Sequence, residues 1–226
     1  LTAGEGGVVT TSDDETAERA ESYINCGRAS RSDRFGHRFL GFNYRLTEFQ
    51  AAVLLGQLEK LPAQNERRAE RAERLGRGLD GIDGVALVEP DRRQTSPAIY
   101  QYVFRYDATA FGGASRDRFV AALEAEGVPC DGLFYEPVYR SSLFMVKPGD
   151  FRALGDGLPW AETRCPVTER AAYEESVWLH HPALLGSESD VDDIVTAIGK
   201  IRDNLDDLRT ADHPLVHLKS LNRAAR

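Results

Sequence analysis

Cysteine is sparse in this chain. Cys26, Cys130 and Cys165 are odd in number and far apart. That fits reduced thiols in a cytoplasm and argues against a disulfide framework or a zinc site. No run of apolar residues is long enough to span a bilayer, and no signal peptide is expected. Positive charge is in deficit, with 28 Lys and Arg against 36 Asp and Glu, for a net charge of −8. A general nucleic-acid binder is not built that way. No internal repeat, Ser–His–Asp set or nucleophile elbow can be recognised. His180 and His181 are adjacent, point apart in an extended chain, and so make no shared metal site.

What is present describes a globular protein. The chain has 226 residues, 42% hydrophobic and 28% charged, enough for one large domain or two small ones with a real core. It begins at Leu1, not Met, and opens directly on LTAGEGGVVT, so a fragment or a trimmed chain is expected.

The stretch Gly41–Leu61, GFNYRLTEFQAAVLLGQLEKL, organises the rest. Phe42 and Tyr44 alternate with Asn43 and Arg45, placing two rings on one side of an extended backbone and two polar groups on the other. Thr47 fits an N-cap, with Gln50 placed to close a capping box. Phe49, Ala52, Val53, Gly56 and Leu58 then recur near helical spacing, and their small members permit close approach to a partner. Asn43 and Arg45 are thereby held just outside a stiff helix start. A surface loop whose arginine pairs with an acidic neighbour reads the same way.

Along the rest of the chain, Leu1–Asp13 predicts a hairpin about a Gly-rich turn. GEGG lacks the spacing and the lysine of a nucleotide loop. Ser12 or Asp13 caps a helix to about Asn25, and Arg28–Arg38 is a loop. Pro62 marks a break or kink at the start of a long, exposed, charge-laced helix to Leu79, which reads as a bridge. Glycines near Asp80–Gly84 close it. Val85–Val88, Ile99–Tyr106 and Val128–Phe134 predict strands, with a helix capped by Ser115 between the last two. Strand, helix, strand, with a further helix to follow, suggests a small α/β domain. Tyr135–Phe144 has no regular period; it suits a ligand-lining loop or an irregular packed one. Trp160–Ala172 predicts a helix, Ser176–Leu179 a strand, and Ser187 or Ser189 caps a last helix to about Leu208. Thr210–Arg226 reads as a polar tail.

LTAGEGGVVTTSD, followed by LGFNYRLTEFQAAVLLGQLEKL, resembles the DegT/DnrJ/StrS family of pyridoxal-phosphate aminotransferases, which aminate keto sugars and related cyclic ketones. YEPVYRSSLF and CPVTERAAYEESVWLHHPALL are similar to the C-terminal domain of that family, most of all to its inosose aminotransferase and aminohydroxybenzoate synthase branch. The resemblance runs from Leu1 to about Leu208. It implies an α/β protein of the type I fold of pyridoxal-phosphate-dependent transferases. Residues 1–61 would be the end of the large cofactor domain, 62–84 a connecting helix, 85–208 the small domain and 209–226 a tail. It further implies pyridoxal 5'-phosphate as cofactor, glutamine or glutamate as amino donor, and a homodimer whose active site lies between subunits. Asn43 would reach the cofactor phosphate bound in the neighbouring subunit. Arg45 would lie near the substrate or stabilise its loop. Tyr135 and Tyr139 would sit near the substrate ring, where related members often carry His.

One departure from the family stands out. Its Schiff-base lysine precedes the LTAGEGG segment, and Lys60, Lys147, Lys200 and Lys219 are nowhere near that position. The catalytic lysine is therefore expected upstream of Leu1, and the chain by itself is expected to be inactive. A lysine-free relative acting as a partner subunit, or a dehydratase-type member with His in place of the lysine, are the rival expectations.

Overall fold

A computed structural model describes residues 1–28, 36–133, 135–142 and 162–210. The chain divides into two compact units, Leu1–Gln64 and Asn65–Arg226.

In the first unit, helix α1 (Asp14–Ile24) starts as expected, on Asp13, whose carboxylate accepts from Thr16 N at 2.8 Å. It ends where Gly27, at φ +82°, donates its N–H back to Ser22 O at 2.7 Å. The Leu1–Asp13 hairpin does not form. That stretch has no strand, and Val8 and Val9 are exposed. β-Branched residues favour extended backbone, but a strand exists only where a ladder partner is available. Most of the Arg28–Arg38 loop, residues 29–35, lies outside the described residues; Arg28 and His37 form an isolated bridge at its base.

Helix α2 (Glu48–Leu79) is one continuous helix of 32 residues with Pro62 inside it. Of the break or kink expected at Pro62, the break is absent. Proline removes one N–H and crowds the preceding turn, and the many hydrogen bonds on either side carry the helix through. The unit boundary falls at Gln64–Asn65, within this helix. Its later half is not exposed throughout. Leu75 and Leu79 are fully buried, and its arginines pair with the next-to-last helix as well as along their own. Arg74 meets Asp192 at 2.6 Å and Glu188 at 2.9 Å, while Arg77 meets Glu73 at 2.7 Å.

The second unit contains a four-stranded antiparallel sheet, β1 (Val85–Leu87), β2 (Gln101–Tyr106), β3 (Cys130–Asp131) and β4 (Ser176–His180), in the order β1-β2-β4-β3. Helix α3 (Arg116–Ala125) is capped by Ser115, as expected. A short helix α4 (Pro166–Arg170) runs directly into a π-turn, Ala171–Glu175. Trp160 and Ala161, the start of the helix expected there, lie outside the described residues, as do Phe134, Leu143 and Phe144. The final helix is shorter than expected. Helix α5 (Glu188–Asp203) stops at Asn204, and α6 (Leu205–Thr210) follows. The tail beyond Thr210 lies outside the described residues.

Strand alternation sorts the two faces of the sheet. Phe104 pairs with Val177, and Leu179 with Tyr102 and Cys130. This face meets α3, where Phe119 lies edge-on to Phe104 at 6.3 Å, with α3 packed on α5 and α6. Burial in this core pushes the Cys130 thiol up to about 12, and Glu124 and Asp131 add to it. On the other face Trp178 pairs with Val103 and Asp131, and His180 with Gln101. No helix of the described residues is long and apolar enough to cross a membrane.

Candidate functional site

The candidate residues fall in both units. In the first, the loop before α2 is tied to the end of α1 by backbone hydrogen bonds. Phe42 N donates to Tyr23 O at 2.8 Å, Tyr44 N to Ile24 O at 2.9 Å, and Cys26 N to Phe42 O at 2.9 Å. Gly41 permits this approach. A Cβ there would lie 2.4 Å from Gly27 N and 2.7 Å from Tyr23 O. Phe42 and Tyr44 stack at 5.4 Å, and Tyr23 closes the cluster. The expected alternation of rings and polar groups is therefore present.

On the polar side, Arg45 Nε donates to Asn43 Oδ1 at 2.9 Å. That bond fixes which end of the amide is the acceptor. The Nδ2 donor is left without a partner among the described residues, on an exposed side chain. Thr47 and Gln50 form both halves of the expected capping box, at 3.1 Å and 3.3 Å. Gln50 does more than the local pattern suggested. Its Nε2 donates to Glu5 O at 2.6 Å and to Ala3 O at 3.4 Å. One amide thus joins the LTAGEGG and NYRLTEFQ segments. The apolar face of α2 that follows is open, with Phe49 89% exposed and Val53, Leu55 and Leu58 also exposed.

In the second unit, Tyr135 is exposed and meets the edge of Trp178 at 6.4 Å. It stands on the same side of the sheet as His180, whose Nε2 lies 2.9 Å from Asp131 Oδ2. Tyr139 lies in a 3-10 turn, Val138–Arg140. Its hydroxyl donates to Glu169 Oε1 at 2.6 Å and accepts from Cys165 N at 3.1 Å. Arg140 donates to the same Glu169 oxygen at 2.5 Å. Burial, and then donation to Glu169, push the Tyr139 phenol up. The bonds from Tyr139 and Arg140 hold the Glu169 carboxyl below its usual range. Neither Glu169 nor the Tyr135–Trp178 contact was foreseen from the sequence, because each pairs residues about thirty or more positions apart.

An open groove of about 520 Å³ lies elsewhere in this unit, lined by Arg105, Asp107, Arg170, Glu174 and Glu175 among others. Arg105 and Arg170 both donate to Glu175, so the two cations share one carboxylate within the groove. No cluster of three or more metal-binding side chains occurs among the described residues. Of the lysines, Lys200 is held by both oxygens of Glu126 at 2.7 and 2.8 Å, and Lys60 lies on an exposed turn of α2. Lys147 and Lys219 lie outside the described residues.

Known proteins resemble this chain in sequence and in fold. A protein of Streptoalloteichus tenebrarius, provisionally named L-glutamine:3-amino-2,3-dideoxy-scyllo-inosose aminotransferase, is 43% identical over 92% of this chain and 52% of its own length. The L-glutamine:2-deoxy-scyllo-inosose aminotransferase of Micromonospora echinospora is 35% identical over 92% of this chain and 52% of its own length. The crystal structure of 3-amino-5-hydroxybenzoic acid synthase superimposes with a TM-score of 0.71 at 32% identity, over 89% of this chain and 51% of that one. The chain spans about half the length of the relatives it matches. Its α/β architecture is that of the type I fold of pyridoxal-phosphate-dependent transferases. With residues 1–199 matched by the family's sequence model, and both motif segments joined at Gln50, the chain belongs to the DegT/DnrJ/EryC1/StrS aminotransferase family.

Proposed function

We propose that the complete protein, of which this chain covers part, is a pyridoxal-phosphate-dependent aminotransferase. It moves an amino group from glutamine to a keto cyclitol. The relatives' names support the donor and the acceptor class. The observation that carries the reading is the Asn43 amide, whose carbonyl oxygen is engaged by Arg45 so that Nδ2 points away as a free donor. An N–H donor on a loop pinned to two helices suits a phosphate oxygen, because the geometry is paid for before the ligand arrives. Asn43 would hold the cofactor phosphate of the neighbouring subunit in a cytoplasmic homodimer, and Arg45 would keep the amide oriented. Tyr135 and Tyr139 would face the acceptor ring, offering an aromatic edge and a hydroxyl anchored by Glu169.

Bound pyridoxal phosphate supplies the electron sink that stabilises charge at the carbon exchanging its proton. The residues present fit the phosphate end of that cofactor. The lysine that would hold it and shuttle the proton is assigned to a part of the protein outside this chain, within the large domain that residues 1–61 would complete. The chain alone is therefore expected not to transaminate.

The test is made on the complete protein. It should show a visible cofactor band removed by borohydride, and glutamine-dependent amination of 2-deoxy-scyllo-inosose or its 3-amino derivative. A band that borohydride leaves untouched would sink the proposal. A His found where the lysine should stand would turn the assignment to the dehydratase-type chemistry.

A further inference from the structure

We propose that Arg116 is a positioning residue for the acceptor-facing surface of the second unit, fixing the backbone on which Tyr135 and the Tyr139 anchor Glu169 are mounted. The proposal rests on the assignment of Tyr135 and Tyr139 to the acceptor. Arg116 is the first residue of α3 and is 3% exposed. Both facts run against elementary electrostatics. A cation at a helix N-terminus meets the positive end of the dipole, and a buried cation loses its hydration. Something specific must compensate.

The compensation is a full set of acceptors. Nε donates to Asp117 Oδ1 at 2.7 Å. Nη1 donates to Gly132 O at 2.9 Å, Ser176 O at 2.9 Å and Ala172 O at 3.2 Å. Nη2 donates to Tyr173 O at 2.9 Å. Four of the five acceptors are backbone carbonyls from three segments. Gly132 follows β3 and leads into Tyr135. Ala172 and Tyr173 belong to the π-turn that extends α4, the helix carrying Glu169. Ser176 opens β4, which carries Trp178 against Tyr135.

A π-turn interrupts the regular ladder and leaves carbonyls in need of other donors. A planar fork of five N–H groups can serve three segments at once, whereas an ammonium has only three donors at a single point. Gly132 completes the fit. A Cβ there would lie 2.4 Å from Arg116 Nε, so any side chain at this position would displace the guanidinium. Arg116 itself donates no hydrogen bond to Tyr135 or Tyr139. Its effect runs through the segments it holds.

The test compares R116K, G132A and Y139F in the complete enzyme. R116K removes most of the fork; G132A displaces it without deleting it. Both should raise KM for the keto cyclitol roughly tenfold, since small misplacements of binding groups cost one to two orders of magnitude. KM for glutamine and the cofactor band should stay within about twofold of wild type. Hydrogen exchange should accelerate in 130–142 and 165–176 and stay unchanged in α5. Loss of the cofactor band and of both KM values together, in step with the folded fraction, would mean a merely structural arginine and overturn the proposal. If Y139F raises the acceptor KM while R116K and G132A leave it alone, only the Arg116 proposal fails. If Y139F leaves it unchanged, the acceptor assignment fails, and this proposal with it.

Discussion

Asn43 shows how one hydrogen bond turns an ambiguous side chain into a defined donor. An amide offers an acceptor at one end and a donor at the other, and Arg45 takes the acceptor. Replacing Asn43 by Asp removes the donor and, if Asn43 holds the cofactor phosphate as proposed, opposes it with a like charge. In the complete protein this should weaken cofactor binding by roughly tenfold or more, read by fluorescence titration of the cofactor-free enzyme. An unchanged affinity would remove Asn43 from the cofactor site. The alternation that placed Asn43 beside Arg45 was legible in four consecutive residues. The Tyr139–Glu169–Arg140 cluster was not, because Glu169 comes from a distant helix and one carboxylate among many has no mark in sequence.

At the scale of elements, the caps were legible and the breaks were not. Asp13, Thr47, Ser115 and Ser187 all cap, since each cap bonds within three residues of itself. Ser187 closes a full box with Asp190. Ser187→Ala should cost about 1 kcal/mol in denaturant unfolding. The N–H of Ser187, then its hydroxyl, hold the Asp190 carboxyl below its ordinary value of 3.8. A folded value below the unfolded one means that the stabilisation is complete above pH 3.8 and lost as pH falls through the folded value. Asp190→Asn should flatten the acid limb of the melting temperature against pH, and an unaltered limb would count against the box. Pro62 is the opposite case. Its local rule predicted a break or a kink, and α2 runs through it without a break. Pro62→Ala should restore an N–H and relieve crowding, raising stability by about 1–3 kcal/mol in urea unfolding of the complete protein. A loss of stability would mean that the ring packs against something essential.

The two units differ in kind when taken as whole bodies. Every buried hydrophobic residue among those described, from Leu75 to Leu208, lies in the second unit. In the first unit Ser22 is the one fully buried residue with a polar side chain, and Phe49, Leu40, Val8 and Val9 are widely exposed. A body with secondary structure but no core of its own needs further surface to cover it. The isolated chain should therefore self-associate and bind hydrophobic dyes while the second unit retains a cooperative melt. A clean monomer by sedimentation, with a single sharp transition and no dye binding, would contradict this.

Sequence by itself determined what is short-ranged: the caps, the existence of strands β2 and β4, the paired rings and polar groups before α2, and the two motif segments that mark the family. Each depends on contacts within a few residues, so composition and spacing carry it. Tertiary structure alone decided that Leu1–Asp13 forms no hairpin, that the second half of α2 docks on α5, and that Gln50 ties α2 to the Gly-rich segment. It alone gave Arg116 its acceptors, drawn from up to 60 positions away. Those acceptors are mostly backbone carbonyls, which every residue has and no side-chain pattern announces; only the folded chain selects which of them converge.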